Sequence, residues 1–468
     1  MIKRRLYNIF RLLKNILKIV DFFMAEVFIT ETDQSIEMAI KNLFSYLEKS
    51  GPPILKSSKK VYIKVNGIDF KKHTYTSPKV LEAVIVYLKK KGAEVYVMEN
   101  STQGNFTRLV FAITGFKDIC DRNGAKIIYL DEEDTKTFEF KGKSSVKEDP
   151  NGYNLMTFRL PMTVVNLIEN RDSITYINIP KLKTHSMAGV TLGIKNQWGF
   201  PQHADRGKDH NYNLHSKLVD MYELIQPDIT LIDGTEGTIH GHYPPTAWED
   251  KLVIPFNLII GGRDTLAVDV VGARVFGLKI NDIPHLKIAY ERGLGEGDLN
   301  KIKVIGKDLK EFKEVYEWNL LQMFPEDVKI VKGKELLCRE GCQDNPLIFL
   351  QSLAFDYPEK FKGGWFIIMG KGHDDDLIEK LKAEGYNRGL VAGYCAINEV
   401  GKVLRKEFGR KNVFFSGDCN NLAETAKAEL KLAGMSAFDL PPLSREESMK
   451  ILQEAQKHGT NALIAVVF

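Results

Sequence analysis

VYIKV (61–65), PKVLEAVIVYLKKKG (78–92) and EVYVM (94–98) read together as one strand–helix–strand unit. The two outer runs are short, apolar and β-branched. The middle run has apolar residues at helical spacing, Pro78 near its start, lysines in its last turn and Gly92 as a stop. Two strands joined by a helix of this length pair in parallel, which puts helices over both faces of a sheet. Further strands are expected at KIIYL (126–130), ITYINI (174–179), ITLID (229–233) and FNLII (256–260), and a helix at HSKLVDMYELI (215–225). The expected fold is α/β, a mostly parallel sheet covered by helices. The charged stretch 132–160, with KGKSSVKEDPNG, interrupts the alternation and reads as a hairpin or inserted loop.

A second, smaller α/β domain follows. Strands are expected at GWFIIMG (364–370), GLVAGY (389–394), NVFFSG (412–417) and ALIAVV (462–467), with a helix at DDDLIEKLKAEG (374–385). The boundary falls in the charged run 306–330. This divides the 468 residues into an arm (1–25), a first domain (26–325) and a cysteine-containing domain (326–468). With 44 % hydrophobic and 27 % charged residues, the chain is neither disordered nor a disulfide-stapled mini-protein.

The formal charge of +4 is concentrated in the arm, where Lys3, Arg4, Arg5, Arg11, Lys14 and Lys18 face Asp21 alone. The remainder is near neutral, so nothing in the overall charge calls for nucleic acid. The arm's apolar residues form one helical stripe, but its charges exclude a membrane span. Three readings stand: a peripheral membrane contact through residues 1–23, packing on the protein's own body, or a true translation start at Met24. With no export signal, the expected location is the cytoplasm, with membrane association through the arm.

In an open parallel sheet, ligands bind beyond the carboxyl ends of the strands. There the densest signal is INIPKLKTHSMAGVTLGIKNQWGF (177–200). Lys181, Lys183 and His185 alternate, so an extended chain turns all three to one wall. Lys195 and Asn196 follow. Gathered ammonium groups repel unless an anion or carboxylate joins them, which suits a small anionic substrate. Such crowding also lowers a lysine pKa enough to make a nucleophile or base. Lys64 and Asn66 repeat the theme at the end of an earlier strand, and Asp233 ends ITLID, placed to hold a hydroxyl, a metal or a lysine. The assigned roles are catalytic for Lys183, His185, Lys195 and Asp233, and substrate-binding for Lys64, Asn66, Lys181 and Asn196. Six histidines fall between 185 and 242, at spacings that match no zinc motif.

Cys120 reads as a core residue. Cys338, Cys342, Cys395 and Cys419 all lie in the second domain, the last two directly after parallel strands, where a helix N-terminus favours thiolate. Together they are candidates for an iron–sulfur cluster of the 4Fe–4S type, with structural zinc, a redox disulfide or scattered buried thiols as the alternatives.

The run Pro180-Lys181-x-Lys183-x-His185, followed by Thr191-Leu192-x-x-Lys195-Asn196-x-x-Gly199, resembles the family called domain of unknown function 362. IKVN (63–66), SPKVLEAVIVYLKKKGAEV and LIDGTEG support the likeness, which covers roughly residues 58–290. Val65 stands where the family often has Pro, and GHYPP (241–245) replaces its Gly-rich run. The resemblance implies an iron–sulfur protein of unassigned reaction. Three functions are therefore carried forward: a redox enzyme for a small anionic metabolite, served by an electron-transfer protein; a non-catalytic cluster or metal carrier; and a non-redox isomerase that moves protons with Lys and His.

Overall fold

The computed structural model describes residues 25–139, 157–209, 213–417, 419 and 421–467. The arm, and with it the expected membrane contact, lies outside them. In chain order the first region forms β1 (Glu26–Glu31), β2 (Lys60–Val65), β3 (Glu94–Glu99), β4 (Lys126–Tyr129), β5 (Thr135–Glu139), β6 (Thr157–Pro161), β7 (Thr175–Ile179), β8 (Lys181–His185), β9 (Gly189–Val190), β10 (Ile229–Thr238), β11 (Val253–Ile254), β12 (Leu258–Gly262) and β13 (Lys303–Gly306). The main sheet runs β13-β1-β12-β10-β7-β2-β3-β4. It is parallel from β10 to β4, while β12 pairs antiparallel with both β1 and β10. The charged stretch is a hairpin of β5 and β6 where it is described.

Side-chain alternation divides this sheet between two cores. Val61, Ile63 and Val65 join Val95, Val97, Ile177 and Ile179 on one face, while Tyr62 and Tyr176 enter the core on the other. The helix Pro78–Lys90 buries Val80, Leu81, Val84, Ile85 and Leu88 on the first face. At roughly 1.5–3 kcal/mol per large apolar side chain, this outweighs the ~0.3–1 kcal/mol of its lysine-rich last turn. The crossover therefore docks by its apolar stripe, and its cap only marks where it ends.

The strand order reverses between β2 and β7. The chain runs outward from β2 through β3 to β4 and returns on the other side as β7. Carboxyl ends diverge at such a switch point and leave a crevice.

The second region holds β14 (Val328–Lys332), β15 (Trp365–Met369), β16 (Gly389–Ala392) and β17 (Val413–Phe415), all parallel in that order. Trp365, Ile367 and Met369 pack on one face, Phe366 and Ile368 on the other. The expected last strand, ALIAVV, is instead a helix, Leu463–Val467. A short apolar run without periodicity fits either state. Here Ile464 and Ala465 enter a core with Phe106, Leu109 and Leu452, away from the sheet. The helix Arg445–Lys457 and the terminal residues thus return to the first region, where Thr460 donates to the Asp131 carboxylate at 2.9 Å. Among the described residues no helix is long and apolar enough to cross a membrane.

Candidate functional site

The crevice between β2 and β7 is closed by the segment read as Lys–x–Lys–x–His. It is extended, as expected, and β8 pairs with β10 through Asp233↔Lys181 and Thr238↔Lys183, with a register shift between. The shift separates the three alternating residues. Lys181 stays beside the sheet, buried between Asp233 at 3.2 Å and Glu236 at 3.3 Å. Asp233 also accepts from Ser77 N at 2.6 Å and Thr235 Oγ1 at 2.7 Å. Every charge in this group is answered inside the fold, and neither Lys181 nor Asp233 reaches the cavity. Lys183 and His185 do.

Asn196 is positioned by the turn Gly193–Asn196, whose first N–H groups point at Asp269: Gly193 N donates at 2.6 Å and Ile194 N at 2.8 Å. Burial raises the Asp269 carboxyl to about 7 against these two bonds, which pull it down. Asn196 then donates to Asn178 Oδ1 at 2.8 Å and accepts from Asn66 Nδ2 at 2.9 Å. The asparagines clamp this turn to the ends of β2 and β7, and Lys195 is carried into the cavity. Gly199 closes the motif for a steric reason. A Cβ there would lie 3.0 Å from both Lys64 Nζ and Glu99 Oε1, which form a fully buried ion pair.

Lys64, Asn66, Lys183, His185, Lys195 and Asn196 all line one cavity of about 490 Å³, together with Glu99, Asn100, Gln103 and Arg206. These last four were missed by sequence reading. Glu99 ends β3 and Asn100 and Gln103 come just after it, so the rule of searching at strand ends already pointed to them. Arg206 carries no local signal; its helix, His203–Asp209, reaches the site only through the fold. Its guanidinium donates to Asn100 Oδ1 at 2.9 Å and to the Ser101 carbonyl at 2.6 Å.

Not every cation here has an ion-pair partner. Lys64 is matched by Glu99. Lys183 donates to the Thr74 carbonyl, and Arg206 to uncharged acceptors only. Among the described residues no carboxylate is in ion-pair contact with Lys183, Lys195 or Arg206. Burial, then Lys195 and Lys181, hold Lys183 well below an ordinary lysine. Burial, with Arg206 and Lys64 nearby, lowers Lys195 to about 7. Burial lowers Arg206 to about 10. The buried Thr191 Oγ1, Trp198 Nε1 and Arg206 Nε, all on lining residues, have no hydrogen-bond partner among the described residues. Cations without an ion-pair partner and unused donors in one cavity are the groups that an anion would satisfy.

His185 Nδ1 accepts from Met187 N at 3.2 Å and Ala188 N at 3.3 Å. A neutral His185 therefore carries its proton on Nε2. Its ring stacks on His242 with centroids 3.8 Å apart, and two imidazoles this close resist being charged together.

The cysteines gather beyond the carboxyl end of the small sheet. Cys338 precedes a turn, Arg339–Gln343, that contains Cys342; Cys395 follows β16 and Cys419 follows β17. Burial, then the neighbouring Cys338, Cys419 and Cys395, push the Cys342 thiol well above its usual value. Cys338, Cys395 and Cys419 thus lie near Cys342. In the described residues no three of the His, Cys, Asp and Glu side chains are arranged to hold a metal ion. Cys120 is a buried core residue, its thiol raised to about 12 mainly by burial. Cys342 shares a core with Met187, two residues from His185, while Asn345 and Ile348 line the cavity. One packed layer therefore joins Cys342 to the cavity.

Residues 61–274 match the family model described as Domain of unknown function (DUF362). A thylakoid-associated protein of Synechocystis sp. is 25 % identical over 226 residues, which are 47 % of this chain and 62 % of that protein. The chain thus aligns with less than two thirds of this relative's length. The Lys–His motif lies inside the family match, and Cys338, Cys342, Cys395 and Cys419 lie outside it.

Proposed function

The chain carries a DUF362 domain over residues 61–274, and on that footing we propose a redox enzyme that acts on a small anionic substrate in the Lys/His cavity. The observation that supports this most is the set of Lys183, Lys195 and Arg206 around one cavity, three cations with no carboxylate in ion-pair contact among the described residues. Lys183 and Arg206 hold the anion. Lys195 and His185 exchange protons with it. The Lys64–Glu99 and Lys181–Asp233 pairs keep the strand ends in place. Cys338, Cys342, Cys395 and Cys419 would hold an iron–sulfur cluster, which supplies one-electron transfer when bound. The clustering of the four thiols around Cys342 supports that assignment. Lys195, near 7, also favours a second reading, proton transfer without redox change; metal content separates the two.

Sulfate tests the anion site, because its charge is constant near neutrality. With Lys195 near 7, the ammonium is lost as pH rises from 6 to 8, and sulfate affinity should fall about tenfold. Isothermal titration of Lys195→Met should give weak binding at both pH values. Equal affinity of the wild type at pH 6 and 8 would remove Lys195 from the site.

We also propose that the protein works in the cytoplasm at a membrane surface, through the stripe of residues 1–23. The thylakoid-associated relative supports this reading. The full chain should co-sediment with anionic vesicles and a chain starting at Met24 should not; equal sedimentation removes the arm from this role.

A further inference from the structure

The cavity has two unlike ends. Its polar end is built by the first region: Lys183, His185, Lys195 and Arg206 beyond the main sheet. Its other end is built largely by the second region and is mostly apolar, with Ile348, Phe349 and Leu353 from one helix and Phe438, Leu440 and Leu452 from the terminal segment, beside the Lys71–Asp356 ion pair. Exposed Lys72, Thr246 and Pro442 mark where it opens to solvent. An inorganic anion would satisfy the polar end and leave the apolar wall wet. About 490 Å³ lies within the ~300–1,000 Å³ of pockets that take drug-sized ligands.

We infer that the ligand is an amphiphilic anion, a carboxylate or phosphate head at Lys183, Lys195 and Arg206 with an apolar chain or ring body against Phe349, Leu353, Leu440 and Leu452. This rests on the anion reading of the same site and adds the class of its substrate. Two features argue for it. Phe349, Phe438 and Leu440 are only half-buried although they face a cavity, so apolar surface is left for a ligand to cover. The cavity also needs both regions: the terminal segment crosses back to the first region and brings the apolar wall over the cationic floor. A site for a small polar metabolite needs no such wall.

Titration of the full-length protein with dodecyl phosphate below its micelle concentration, inorganic phosphate and 1-dodecanol tests the inference. Dodecyl phosphate should bind at least ~100-fold more tightly than inorganic phosphate, since each buried methylene contributes about fourfold. Dodecanol, which lacks the charge, should bind at least ~10-fold more weakly than dodecyl phosphate. Phe349→Ser and Leu440→Ser, each at a half-buried position where folding can be checked by melting, should lose ~10-fold or more for dodecyl phosphate and nothing for inorganic phosphate. If inorganic phosphate binds and the chain adds nothing, the inference is overturned and the anion reading stands. If dodecanol matches dodecyl phosphate, the head-group assignment is wrong and the inference falls. If no phosphate binds, the anion reading itself fails.

Discussion

Lys183→Met is expected to lower affinity for sulfate or phosphate by ~30-fold or more, while raising the melting temperature of the ligand-free protein. Both effects have the same origin. Lys183 is buried, donates to a carbonyl and sits near Lys195 and Lys181, with Glu99 and Asp69 only partly offsetting them and no carboxylate in ion-pair contact among the described residues. Truncating a desolvated charge that contacts a ligand costs about 2–5 kcal/mol of binding. Without a ligand, the same ammonium is a liability, and a methionine of similar length removes it. The pH dependence follows with a definite sign. A lysine held below 10.5 in the folded protein binds fewer protons there than in the unfolded chain. Stability contributed by this site therefore rises with pH in the window below 10.5, and Lys183→Met should flatten that rise. Differential scanning fluorimetry across pH, with and without sulfate, reads both effects. A variant that melts lower and binds sulfate unchanged would make Lys183 a structural residue.

Cys395→Ser should cost at least ~100-fold in iron affinity. Protein purified anaerobically should contain iron and acid-labile sulfide, and the variant should lose both together. Structural zinc sites gain ~10–16 kcal/mol from the metal over four ligands, and on that scale losing one thiolate removes several kcal/mol. Cys342, held high by burial and by its three neighbours, must give up its proton to a metal. Acid should therefore release the metal. Cys120→Ser, in a separate core, should leave metal content unchanged. Zinc without sulfide would convert the site to a structural one. Neither metal, in protein with all thiols reduced, would end the redox reading and leave proton transfer by Lys195 and His185.

The sequence was most legible where chemistry and period coincide. Val61, Ile63 and Val65 against Tyr62 announce a strand covered on both faces, and Pro78 to Gly92 announces the helix between strands. Lys183 and His185 were legible because both follow a buried strand, where polar residues need a reason. The same rule misplaced Lys181. Alternation puts it on the wall with Lys183, but the register shift between Asp233 and Thr238 leaves it in an ion pair inside the fold. ALIAVV was misread as a strand because five or six apolar residues carry no period. Its partners, Phe106 and Leu109, lie more than 350 positions earlier.

Local sequence was therefore enough for the α/β architecture, for the strand ends where a ligand would sit, and for the family motif. Those features depend on residue size, spacing and backbone freedom, which neighbours along the chain express. The balance of charge did not follow from it. Lys64 and Lys195 look alike in the sequence. Only the folded chain gives the first a buried carboxylate and leaves the second facing a cavity beside Arg206. Nor did it join Cys342 to that cavity, or lay an apolar wall over a cationic floor. Ion pairing and enclosure depend on distances between residues hundreds of positions apart, and packing alone sets those distances.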